Sequence, residues 1–83
     1  MNLENNIRAI MEQMKNLPQI DRDHIIEYLD HNEWGIAVEH LCSSIREEKI
    51  LLSESLYEKI RQVSEQMEIW NDIREEIKDC KTR

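Results

Sequence analysis

The chain has 83 residues, with 11 Lys and Arg against 18 Asp and Glu and a formal net charge of −7. That length allows one small domain, residues 1–83, with a lean core. The acidity speaks against general nucleic-acid binding, which needs clustered Lys and Arg, and no apolar run approaches the roughly 18–20 residues that span a bilayer.

One Gly and one Pro cannot support a succession of tight hairpin turns, so the expected class is all-α. The segment Met1–Asn6 lacks a basic stretch followed by an apolar one, so no secretory signal is expected. Cys42 and Cys80 lie far apart without CxxC spacing. A reducing compartment is the simpler reading, and the expected location is cytoplasmic.

The spacing predicts a first helix from about Leu3 to Leu17, where Leu3, Ile7, Ile10, Met14 and Leu17 form one apolar stripe. Pro18 stops it, because proline disfavours the helical conformation of the residue before it. A second helix, about Ile20 to His31, is capped by Asp21 or Asp23 and turns Ile25, Ile26 and Leu29 inward. Asn32 suits a left-handed turn at its end. A third helix then runs from near Glu33 to about Glu48, with Trp34, Ala37, Val38, Leu41 and Ile45 on one face. The short connection makes the second and third helices close neighbours.

Ile50, Leu51 and Leu52 are expected to tuck under the bundle as a linker. Ser53 or Ser55 caps the next helix; Ser55 with Glu58 has capping-box spacing. Leu56, Ile60, Val63, Met67, Trp70, Ile73 and Ile77 form a heptad-like stripe. Without Pro or Gly that helix can run to Asp79, about 40 Å at 1.5 Å per residue, or break near Gln66–Glu68. The expected architecture is a compact four-helix bundle with a long C-terminal helix.

Little here suggests catalysis, so no enzyme activity, catalytic residue, metal or cofactor is expected. His24 and His31 are seven positions apart on one helix, about 10 Å along its axis, too far to share a metal directly. The chain has no HExxH, paired CxxC or glycine-rich phosphate loop. Cys42 flanks the core face, where a free Cys behaves as a small hydrophobe, and Cys80 falls in a charged tail.

The remaining signal is where the charge lies. Between Asp21 and Glu39 six acids face only Arg22, a net −5 of the total −7. Asp23, Glu27 and Asp30 form a stripe about 120° from the Ile25/Ile26/Leu29 face, so they point to solvent or to a partner. Like charges at i,i+4 repel, and intrinsic helix stability therefore does not explain the stripe. A solvated acidic face is the plain alternative. On the third helix Ile36, Glu39, His40, Ser43 and Glu47 lie opposite the core face. Ile36 beside an acidic rim suits the dry centre of a contact patch. Trp34 is read as packing, and Tyr28 sits at the edge between core and flank.

The run Glu27-Tyr28-Leu29-Asp30-His31-Asn32-Glu33-Trp34-Gly35-Ile36-Ala37-Val38-Glu39-His40-Leu41-Cys42, followed by Ile50-Leu51-Leu52-Ser53 and Tyr57, resembles the Maf-type immunity proteins. The resemblance covers roughly residues 25–67, about half the chain; His-x-Glu-Trp-Gly is its most specific segment. Asn32 stands where the family pattern has Gly, and the linker lacks an expected Pro. The resemblance implies a small helical immunity protein of a bacterial polymorphic-toxin or contact-dependent growth inhibition system, which binds and neutralises its cognate toxin C-terminal domain, often an EndoU-like ribonuclease. On that reading Asp23, Glu27, Asp30, Glu33 and Glu39 would meet the toxin's basic RNA-binding active site, with Ile36 at the centre. Blocking at an exosite stays open. The expected partner is that protein, bound 1:1 by a monomer, without direct contact to nucleic acid or membrane. The alternative is a non-enzymatic adaptor or scaffold that dimerises through the C-terminal helix.

Overall fold

Five helices arise from these sequence patterns: α1 (Leu3–Glu12), α2 (Gln19–Asp30), α3 (Trp34–Glu47), α4 (Glu54–Gln66) and α5 (Trp70–Ile77). They are seen in a computed structural model that describes residues 2–81. Among the described residues the all-α class holds, and the helices number five rather than four. No long C-terminal helix is present, because the stretch breaks between Gln66 and Trp70. The Cα radius of gyration is 11.4 Å, close to the ~12 Å of a folded chain this long.

The apolar stripe of the first segment is buried as its spacing implies. Ile7, Ile10, Met11, Met14 and Leu17 all enter the core. The helix itself stops at Glu12, and the chain continues in turns. A contact from α2 accompanies that early end. The Arg22 guanidinium donates to the carbonyls of Met11 (3.1 Å) and Met14 (2.8 Å), each of which also accepts a turn amide, from Met14 and Leu17 respectively. At the other end Asn2 caps α1, its Oδ1 accepting from the Asn5 amide at 3.1 Å.

Neither Asp21 nor Asp23 caps α2. Pro18 occupies the cap position, Asp21 binds His40, and Asp23 accepts from the Gln19 amide side chain at 2.7 Å. Ser53, not Ser55, caps α4 by accepting from the Leu56 amide at 3.1 Å. Glu58 pairs with Arg61 instead of closing a capping box.

Three helices end in the same way. Asn32, Lys49 and Glu68 have φ of 59°, 53° and 60°. After each, the next amide reaches back five residues: Glu33 to the Tyr28 carbonyl (2.8 Å), Ile50 to Ile45 (3.0 Å) and Ile69 to Ser64 (2.9 Å). This is the Schellman arrangement, usually built on Gly. Here Asn, Lys and Glu carry it, and the turn at Glu68 separates α4 from α5.

That turn lets α5 pack against α3 and α4. Ile73 and Ile77 enter the same core as Ile60 and Val63. Of the heptad-like stripe, Ile60, Val63, Ile73 and Ile77 are covered by the chain's own helices, while Leu56, Met67 and Trp70 stay half-buried. Ile50 and Leu52 are buried, but Leu51 between them is 67% exposed, so the linker does not tuck in as a block. Leu52 donates its amide to the Cys80 carbonyl at 2.7 Å. Cys80 is buried, correcting its placement in a charged tail, and its thiol points at the Ile45 carbonyl, 3.8 Å away. Lys81 Nζ lies 4.9 Å over the Tyr57 ring. Arg46 and Glu76, 3.1 Å apart, tie α3 to α5 as an ion pair outside hydrogen-bond geometry. No described helix is long and apolar enough to cross a membrane.

Candidate protein-binding face on the second and third helices

Helices α2 and α3 are joined by the Asn32 turn and pack side by side. Ile25, Leu29, Ala37, Val38 and Leu41 fill the seam between them and the core, leaving the opposite sides outward. Asp23, Glu27, Asp30, Glu33 and Glu39 are all exposed. Ile36 is 46% exposed, one of few large apolar side chains left to solvent.

The carboxylates are not equivalent. Asp30 accepts from Arg8 of α1 at 2.8 Å, and the same guanidinium binds Glu4 at 3.0 Å. Asp30 is thus partly neutralised by a partner 22 residues away. Asp23 is held by Gln19. His31 donates its Nδ1–H to the Glu27 carbonyl at 2.9 Å. That bond, aided by the nearby carboxylates of Glu27, Glu33 and Asp30, raises the imidazole pKa above the ordinary histidine value. Arg22, the one basic residue in the acidic stretch, is turned inward against α1.

Sequence spacing along single helices missed a ring cluster that crosses between them. His40 of α3 donates from Nε2 to Asp21 of α2 at 2.9 Å. The His24 ring meets the His40 ring edge-on at a centroid distance of 5.6 Å, and the Tyr28 ring lies 5.9 Å from it. Tyr28 is half-buried and packs against the core. The signal available in the sequence was Asp21, His24 and Tyr28 at i, i+3 and i+7, a stripe that needed its counterpart on the next helix.

Trp34 also packs against the core, and its indole N–H is buried without an acceptor. A depression of about 510 Å³ lies beside it, lined by Asn2, Leu3, Glu4 and Trp34. A separate groove of about 400 Å³ between α1 and α4 has Ile10 and Val63 in its lining and Lys59 as its one charged lining residue. Among the described residues no group of three or more His, Cys, Asp or Glu is arranged to hold a metal ion. Both thiols are buried; burial pushes Cys42 up to about 12, away from the thiolate form a nucleophile needs.

Comparison with protein families, curated proteins and solved structures found no match to this chain. The likeness to the Maf-type immunity proteins rests on the residues quoted above.

Proposed function

We propose that this protein is an immunity protein. It binds a cognate bacterial toxin domain, an EndoU-like ribonuclease by the resemblance, and covers its basic RNA-binding site with the acidic face of α2 and α3. The observation that carries the reading is that Asp23, Glu27, Glu33 and Glu39 are all exposed on the same helix pair as the exposed Ile36. Five acids in excess within residues 21–39 create a field that draws a basic surface in and fixes its register. Affinity comes mainly from a few desolvated contacts at the centre. Inhibition needs no covalent chemistry: the face occupies the space that RNA phosphates would take. The complex is 1:1. A scaffold that dimerises along the C-terminal stripe is the less favoured reading, since Ile60, Val63, Ile73 and Ile77 of that stripe are buried within the protomer.

The test is co-purification with the toxin domain encoded beside this protein's gene, followed by RNA cleavage with and without the protein. Glu27→Lys/Glu39→Lys, at exposed positions, should fold normally. Association should slow by at least ~10-fold at low salt, and the difference should shrink as salt screens the field. Unchanged protection and association rate would remove the acidic face from the interface.

A further inference from the structure

A small cavity of about 250 Å³ opens on α2, lined by His24, Glu27 and Tyr28. Its walls are two flat rings and its edge is an exposed carboxylate. Both rings rest on His40, which Asp21 holds at 2.9 Å through side chains only about a quarter exposed (26% and 23%). The edge-on contact of His24 at 5.6 Å and the tilted contact of Tyr28 at 5.9 Å complete a braced cluster between two helices. Contact with a held ring lowers the ordering cost of a group that stacks on the cluster.

The geometry points to a binding site for an arginine side chain of the protein partner: its guanidinium lies along the ring faces of Tyr28 and His24 and forks onto Glu27. Charge selects a cation, because the surrounding stretch is strongly acidic. Shape selects guanidinium over ammonium. A guanidinium is planar, weakly hydrated, stacks on aromatic faces and bonds a carboxylate through two parallel N–H groups; a lysine ammonium is a strongly hydrated point charge. Arginine is also enriched among the residues that dominate interface energetics. The site's role as an anchor in a toxin contact rests on the immunity reading above; its preference for guanidinium does not.

Two measurements test this separately. In the first, the ring resonances of His24, Tyr28 and His40 are followed by NMR during titration with N-acetyl-arginine amide or N-acetyl-lysine amide. The arginine compound should give saturable shifts centred on His24 and Tyr28, at least ~3-fold tighter than lysine, and Glu27→Gln should abolish the difference. Equal shifts with both compounds, shifts centred elsewhere, or none would overturn the site. In the second, the affinity of the toxin domain is measured for His24→Ala, Glu27→Gln and the distant control Glu12→Gln. The first two should each weaken binding by ~5–50-fold and the control by less than twofold. Tight toxin binding that neither His24→Ala nor Glu27→Gln alters would overturn the anchor while leaving the acidic-face reading standing. A wild-type protein that fails to bind the toxin would defeat that reading and the anchor with it, and the amide titration would still decide the pocket's chemistry.

Discussion

Replacing Glu68 by Gly should stabilise this protein, although glycine ordinarily weakens a helical chain. Glu68 has φ of 60° at the junction of α4 and α5. A side chain in that left-handed conformation costs about 1–2 kcal/mol, because its Cβ crowds the backbone. Glycine escapes the crowding but loses more chain entropy on folding, about 0.5–1 kcal/mol. The expected net gain is about 0.5–1 kcal/mol, or ~2–8 °C in Tm for a chain of this size. Glu68→Ala keeps the Cβ and should leave stability close to wild type. The two variants, compared by thermal and urea unfolding, give a sign test. Were residues 54–77 one continuous helix, Gly at position 68 would sit in its interior and be about 1 kcal/mol less stable than Ala. A Glu68→Gly protein that melts below Glu68→Ala would therefore refute the turn and with it the packing of α5 on α3.

Arg22→Met should cost about 1–3 kcal/mol in urea unfolding, because it removes the two charged bonds to the Met11 and Met14 carbonyls; a change under about 0.5 kcal/mol would show that the turn amides of Met14 and Leu17 satisfy those carbonyls without it. Ile36→Asp, at an exposed site, should shift stability by less than about 0.5 kcal/mol while weakening toxin binding at least ~10-fold, measured by calorimetry; unaltered affinity would remove Ile36 from the contact. Cys42 should resist a thiol reagent at pH 8 until the protein unfolds. Its folded pKa of about 12 stands above the unfolded value of 9.0 because burial disfavours the thiolate. The linked stability is intact below the unfolded value and declines as pH rises from there towards the folded one, so Cys42→Ala should flatten the loss of stability in strong alkali. Rapid native-state labelling of Cys42 would contradict its burial.

Burial was more legible in the sequence than helix boundaries. Met14 and Leu17 continue the apolar rhythm of α1 and are buried, yet they lie beyond its last turn. The sequence registers that they face the core; it does not register that the chain there turns back on itself, with Arg22 of another helix bonding the carbonyls of Met11 and Met14 alongside the turn amides. The α4–α5 junction near Gln66–Glu68 stood beside a continuous helix as one of two expectations, and the sequence did not choose between them for a related reason. Helix ends are usually marked by Gly, and here Lys49 and Glu68 adopt the left-handed conformation under tertiary demand. Cys80 looked like tail because its neighbours are charged, whereas its backbone is fastened to Leu52 across the fold. On the candidate face the outward direction of Asp23, Glu27 and Glu39 followed from helical spacing alone. The ion pair of Asp30 with Arg8 and the meeting of His24 with His40 did not, because each joins residues on different helices.

Arg22 also separates two jobs along a single helix. By spending its guanidinium on the carbonyls of a neighbour, it leaves the solvent side of α2 without an internal counterion from its own stretch, and it braces the chassis from within. Asp23 and Glu27 hold nothing in the interior. They can be exchanged while the scaffold beneath stays the same, so under the proposed function specificity would diversify at little cost to folding.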